Sequence, residues 1–185
     1  AYRRQRQMCI RDSYRGMKEI DFQNDLLPLK HKLYRLAQRI TLDSLEAEDV
    51  VEDTLVRVWE RRKSLTDVEN LEVYCLTICR NLALDRAERK DAQHAALDAN
   101  FDAPADTTTL PDAQLEADER LAWVRRSFEM LPEKQRTALQ LRDIDGHSYQ
   151  EVATAMEISE SDVKVTLHRA RQALKEKLSH LRFHL

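Results

Sequence analysis

Two glycines in 185 residues leave this chain unable to build a phosphate-cradling loop. Such loops need clustered glycines so that backbone can approach phosphate closely, which excludes P-loop and dinucleotide-binding folds. With only four prolines as well, the turn chemistry of a hairpin-rich β protein is missing. Three cysteines form no disulfide framework and suit a reducing cytoplasm. No apolar run approaches the ~20 residues that span a bilayer, and no apolar signal segment is visible. Membrane insertion is therefore not expected. Carboxylate-rich helices can hold two metals, but that design uses Glu-x-x-His pairs, and none occurs. Cys75 and Cys79 share a helical face without a nearby His or Cys to complete a zinc set, so they read as core thiols. The expectation is a protein with no metal, no cofactor and no catalytic residues.

What is present is helix. Hydrophobic residues make up 42% of the chain and charged residues 34%, a balance that suits a soluble, helix-rich protein. Leu29, Leu33, Leu36 and Ile40 mark one amphipathic stripe; Ala47, Val51, Leu55 and Val58, with Trp59 beside them, mark a second; Leu71, Cys75, Ile78 and Leu82 mark a third. These predict a three-helix core with a possible short N-terminal helix in residues 17–92. Residues 93–111 are small, polar and proline-containing, with no sustained stripe, and read as a linker. Helical patterning resumes in residues 112–185 with Leu121, Val124, Phe128 and Leu131, followed by a proline-led helix that stops near Gly146. The fold expected is all-α, in two small modules joined by a flexible linker.

Charge is unevenly placed along a chain of net −3. Residues 1–16 carry +4, residues 17–92 −3, residues 93–111 −3 and residues 112–185 −1. The leader contains Met8-Cys-Ile-Arg-Asp-Ser13, a string that a transposon end used in sequencing-library preparation would encode. Residues 1–16 are accordingly expected to be a non-native leader before a natural start at Met17; a basic arm for DNA phosphates is the alternative. Without them the chain carries −7, and such a chain should bind DNA poorly alone, because counterion release needs a concentrated basic surface.

Two capped helix starts close the chain. Ser148-Tyr-Gln-Glu151 is a capping box, and Ser159-Glu-Ser-Asp162 repeats it with a shorter acid, with Ile158 placed to staple onto Val163. The tight interval Glu157-Ile158-Ser159 makes the pair a helix-turn-helix. In its second helix Val163, Leu167, Ala170 and Leu174 form the buried stripe, leaving Lys164, Val165, Thr166, His168, Arg169, Arg171 and Gln172 on other faces. From 163 to 182 there are six Lys or Arg against one acid, Glu176. Arg forks onto guanine, Lys and Thr suit phosphate, and Val165 suits a thymine methyl. A solvated helix face is the alternative.

"LPEKQRTALQLRDIDGHSYQEVATAMEISESDVKVTLHRARQAL" resembles region 4 of the extracytoplasmic-function (ECF) bacterial sigma factors, and "AEDVVEDTLVRVWE" with "YCLTICRNLALDRAERK" resembles their region 2. Both stretches stand in the family's order, with the linker between them. The resemblance implies a cytoplasmic subunit that joins core RNA polymerase, through the largest subunit's coiled coil and the flap region, recognises promoter DNA and promotes its melting. An anti-sigma factor is a further possible partner. For the −35 element it implies base-facing Val165, His168 and Arg169, with Lys164, Thr166 and Arg142 on the backbone and Arg171 beside them. For the unpaired −10 strand it implies Asn81 as the base-pocket amide, which both donates and accepts. The loop Ser64-Leu65-Thr66-Asp67-Val68 completes that pocket, with Tyr74 to stack or fill core, and Arg80, Arg86, Arg89 and Lys90 are phosphate candidates. Six acids and no base lie between Asp43 and Asp53. The resemblance assigns Asp49, Glu52, Asp53 and Arg57 to polymerase, with Leu55 and Trp59 more core than interface. The rival reading is a stand-alone helix-turn-helix regulator, which explains Ser148–Leu174 but neither the acidic helix nor the Asn81 helix.

Overall fold

The computed structural model describes residues 20–65, 68–96 and 112–179, so the expected leader and most of the expected linker lie outside the described residues. Among the described residues seven α-helices carry the fold: α1 (Lys30–Thr41), α2 (Ser44–Arg61), α3 (Leu71–Ala96), α4 (Asp112–Glu129), α5 (Glu133–Leu139), α6 (Tyr149–Met156) and α7 (Glu160–Ser179). No strand occurs among the described residues.

The first module is a bundle of α1, α2 and α3, preceded by a short π-helical turn (Phe22–Leu26) that Asp21 caps by accepting from the amides of Gln23 and Asn24. Leu33, Leu36, Ala37 and Ile40 of α1 are buried, and the helix stops at Leu42, whose φ of 55° places it in the left-handed region. Asp43 then caps α2, accepting from the amides of Leu45 (2.9 Å) and Glu46 (3.3 Å), so one helix ends and the next begins within two residues. The α2 stripe of Ala47, Val51, Leu55 and Val58 is buried as its spacing predicts, joined by Val50 and Thr54. In α3 the buried set is wider than the expected stripe: Val73, Leu76, Cys79 and Ala83 join Cys75 and Leu82, whereas Leu71 and Ile78 are only partly buried. A helix packed against neighbours on two sides buries more than one stripe. Burial pushes both thiols up to about 12, so neither is a thiolate at neutral pH. The helix also runs four residues past the expected boundary at 92, because Gln93-His94-Ala95-Ala96 contains no breaker.

The second module is built from α4 to α7. Of the expected stripe, Phe128 near the end of α4 and Leu131 just after it are buried, but Leu121 and Val124 are exposed. Pro132 opens α5, a π-helical turn (Gln140–Ile144) continues it, and Gly146 at φ 81° ends it. A φ of that sign is one that glycine adopts at no steric cost. Ser148 and Glu151 form the expected reciprocal capping box. Ser159 accepts from the Asp162 amide at 3.1 Å, but the Asp162 carboxylate takes the Ser159 hydroxyl rather than the backbone amide. A side chain one methylene shorter than Glu stops there. Between α6 and α7, Glu157 adopts φ 55° and the Ile158 amide returns to the Ala153 carbonyl at 3.0 Å, closing the turn. Val152, Met156, Val163, Leu167 and Ala170 fill the angle between the two helices.

The modules lie against each other. One hydrophobic cluster runs through both, and α3 packs along α6 while α1 meets α5. Arg136 joins them. Its buried guanidinium donates to the carbonyls of Leu131 and Glu129 in its own module and to that of Arg39 in the other.

Candidate nucleic-acid interface

α7 presents its outer face as the sequence predicts. Val165, His168 and Arg169 are exposed beside Lys164, with Thr166 half-buried at the flank. Val163, Leu167 and Ala170 are buried beneath, so the face is fixed in rotation by the core it covers. Arg142 reaches this surface from the preceding turn: its Nη1 donates to the His147 carbonyl at 2.6 Å, and its guanidinium lies 4.5 Å from the centre of the Tyr149 ring. The Lys164 ammonium lies 5.6 Å from that ring. Tyr149 therefore holds two of the expected backbone-contacting cations in place, a role that no spacing in the sequence announced. Arg171 differs from the expectation. It forks onto Asp143 at 3.0 and 2.7 Å, which raises its pKa and commits its donors within the protein. Its position one flank away from Val165 sets it beside the π-helical turn, where its side chain pairs with Asp143 while still half exposed.

The residues expected around an unpaired strand are only partly brought together. Asn81 is exposed on α3, and its Nδ2 donates to Glu157 Oε2 of the second module at 3.3 Å. Tyr74 is half-buried against the core. Ser64 is exposed, its hydroxyl donating to the Arg61 carbonyl. Leu65 is 8% exposed and belongs to the core, not to a pocket wall, because the 3-10 turn before it (Arg62–Ser64) tucks it inward. Thr66 and Asp67 lie outside the described residues. Arg80 is 9% exposed and faces the second module, its Nε 4.0 Å from Glu133 Oε1 and without a hydrogen-bond partner. Lys90 Nζ donates to Asp43 Oδ2 at 2.7 Å. Arg89 is exposed.

Arg86, expected at phosphate, is instead caged by the acids of α2. It donates to Glu46 at 2.9 Å, Asp49 at 3.1 Å and Asp53 at 2.8 Å, and these bonds, Glu46's first, raise its pKa. The cause is the antiparallel run of α2 and α3, which sets Asp43 opposite Lys90 and Asp53 opposite Arg86. Two of the expected polymerase-facing acids, Asp49 and Asp53, are thus partly neutralised, while Glu52 and Arg57 are exposed on the same helix. Leu55 and Trp59 are core: Leu55 is 6% exposed, and Trp59 packs edge-on to Phe22 at 5.6 Å. Leu45 and Val56 stand exposed among the acids, apolar groups that the charge pattern had hidden. No cluster of His, Cys, Asp and Glu suited to a metal occurs among the described residues.

Comparison with known proteins bears on both modules. Residues 28–93 match the family model described as Sigma-70 region 2, and residues 121–174 the one described as Sigma-70, region 4. The chain is 31% identical over 167 residues to the RNA polymerase sigma-H factor of Pseudomonas aeruginosa, covering 85% of this chain and 86% of the relative. It is 32% identical over 153 residues to the ECF RNA polymerase sigma factor SigL of Mycobacterium tuberculosis, covering 80% and 84%. Among solved structures it is similar to the sigma factor RpoE of Bartonella quintana in complex with the anti-sigma factor NepR. That match has a TM-score of 0.66 at 25% identity and covers 86% of this chain and 97% of that one. CnrH, solved in complex with the cytosolic domain of CnrY, shares the fold at a TM-score of 0.61 and 21% identity, over 84% and 85%.

Proposed function

From the premise that the chain belongs to the ECF family of RNA polymerase sigma factors, we propose that it binds core RNA polymerase, recognises the −35 and −10 promoter elements and promotes DNA melting. The observation that carries this reading is the pairing of two family modules in one chain, the second with an outward α7 face of Val165, His168 and Arg169. We assign residues 17–92 to core-polymerase and −10 binding, 93–111 to the connection and 112–185 to −35 binding. On α7, Arg169 forks onto a base edge and Val165 takes a thymine methyl, while Lys164, Arg142 and Thr166 hold phosphates. In the first module Asn81 reads an extruded base, with Tyr74, Ser64 and Arg89 around it. Glu52, Asp49, Asp53 and Arg57 on α2, with Leu45 and Val56 among them, face polymerase. Sigma factors are initiation factors, so RNA synthesis belongs to the polymerase and this chain carries no catalytic step. Its place of action is the cytoplasm; no helix among the described residues is long and apolar enough to cross a membrane. An anti-sigma protein is a further proposed partner, on the ground of the complex with the anti-sigma factor NepR in which the Bartonella quintana relative was solved.

Run-off transcription with core enzyme on a promoter library tests the reading. Transcripts that depend on this chain, and that fall when Asn81 and Arg169 are both replaced by alanine, support it. Undiminished transcription by that double variant refutes the site. Failure to co-purify with core polymerase in the absence of DNA refutes the function in favour of a stand-alone regulator.

A further inference from the structure

Along α7 one cation is set apart from the rest. Arg171 stands seven positions after Lys164, two helical turns and about 10 Å further along the same edge of the helix. The Arg142 guanidinium and the Lys164 ammonium lie 4.5 and 5.6 Å from the centre of the Tyr149 ring. Asp143 first, and then Tyr149, raises the Arg171 pKa, so three cations gather around one tyrosine at the flank of the reading face. Of the three, only Arg171 meets a carboxylate among the described residues. Its Nε and Nη2 donate to the two Asp143 oxygens at 3.0 and 2.7 Å, the same fork with which a guanidinium takes a phosphate.

We propose that Asp143 withholds Arg171 from DNA phosphate and so sets how weakly this chain holds duplex of any sequence. The proposal rests on the assignment of the α7 face to duplex DNA. A phosphate contact fixes position and carries no sequence information, so a fourth free cation beside Arg142, Lys164 and Arg169 tightens attachment to every duplex alike. Asp143 fills the Arg171 fork before a phosphate can. The carboxylate comes from the π-helical turn (Gln140–Ile144), directly after Arg142. One turn thus presents a cation for phosphate and, beside it, the acid that removes another. Burial does not demand the pairing: the Arg171 side chain is half exposed and that of Asp143 partly so, and an ion pair in contact with water adds little stability. The pair tunes a surface; it does not rescue a buried charge.

Anisotropy of a fluorescein-labelled duplex of random sequence, with the full chain and no polymerase, tests this over a salt series from about 50 to 200 mM. Asp143→Asn keeps the side chain's shape and removes its charge. Glu48→Gln makes the same charge change on an exposed residue of α2. Asp143→Asn is expected to bind about fivefold tighter than wild type at the lower salt. Its slope of log affinity against log salt should steepen by about 0.9, the mark of one added phosphate contact. Glu48→Gln should stay within about twofold of wild type, its distant charge being screened. Adding Arg171→Gln to Asp143→Asn should return affinity and slope to wild type, and Arg171→Gln alone should bind no tighter than wild type. A mere brace between α7 and the turn predicts that both single variants weaken binding together, and that result overturns the proposal. Tighter binding that survives in the double variant overturns it too, as does equal binding by Asp143→Asn and Glu48→Gln. Silence of the wild-type chain in transcription with core enzyme counts against the sigma reading itself, whereas the duplex measurements need no polymerase and decide the role of Asp143 alone.

Discussion

Replacing Arg86 by methionine separates the two roles open to that residue. The guanidinium makes three ion pairs, to Glu46, Asp49 and Asp53, at 2.8 to 3.1 Å. The Arg86 side chain is 24% exposed and the acids 40%, 66% and 49%, so each pair is well solvated. Pairs of that kind contribute about 0.5 kcal/mol each, or about 1.5 kcal/mol for the three. Their loss also leaves three carboxylates on one face of α2, with like-charge repulsion of about 0.3 kcal/mol per adjacent pair. Methionine keeps the apolar stem, so the total cost is about 2 kcal/mol. For a chain of this length that lowers Tm by about 4–8 °C. At 1 M salt the Debye length falls to about 3 Å, and the deficit should shrink to about half. The assay is thermal unfolding by circular dichroism at low and high salt, with run-off transcription well below both midpoints. A cage role predicts lowered, salt-sensitive stability and retained transcription. Unchanged Tm with abolished transcription, or a deficit indifferent to salt, refutes the cage and returns Arg86 to phosphate.

Leu167→Ala removes a side chain 1% exposed beneath the α7 face and should destabilise the second module by about 2–5 kcal/mol, read from its urea midpoint; a shift under about 1 kcal/mol is incompatible with the packing described. Ser148→Ala deletes the cap on the Glu151 amide and should cost about 1 kcal/mol, with Ser148→Asp largely restoring it. The pH dependence follows from two carboxyls held below their usual range, Asp43 by its hydrogen bond from Lys90 and Glu151 by the Ser148 amide. A depressed folded pKa contributes stability that is present above the unfolded value, about 4, and lost as pH falls through the folded value. Tm should therefore fall below about pH 4, and Asp43→Asn with Glu151→Gln should flatten that acid limb; an unaltered limb locates the titration elsewhere. Tyr149→Leu should weaken duplex binding by the second module several-fold with little loss of stability, since Arg142 and Lys164 lose the ring that orients them.

What the sequence made legible was local. The capping box at Ser148, the turn at Glu157, the stop at Gly146 and the α2 stripe each involve residues within a few positions of one another, where side chain and backbone are forced to meet. What it hid depends on partners far along the chain. Arg171 finds Asp143 28 residues away, and Arg86 finds Glu46 at a separation of 40. A basic residue read in isolation looks available; only the fold says which acid stands opposite. The same reason applies to Leu121 and Val124, whose spacing is right for burial but which the fold leaves exposed. Exposed Leu45 and Val56 went unnoticed because a run of acids dominates the pattern around them.

The fate of those cations explains how a chain of net −3 can end in a basic helix. Arg86, Lys90, Lys32, Arg35 and Arg171 all meet carboxylates, which withdraws five cations from DNA. On the α7 face Lys164 and Arg169 have no ion pair among the described residues, and Arg142 joins them over Tyr149. Three cations release about three counterions, too few for firm sequence-independent binding at physiological salt. A module so equipped reads DNA well only when something else holds it there, and a second attachment raises its effective concentration without any new contact. These cages then serve one end: they withhold positive charge from wandering attachment to the genome, while the α7 face keeps the few groups that discriminate once polymerase has delivered it.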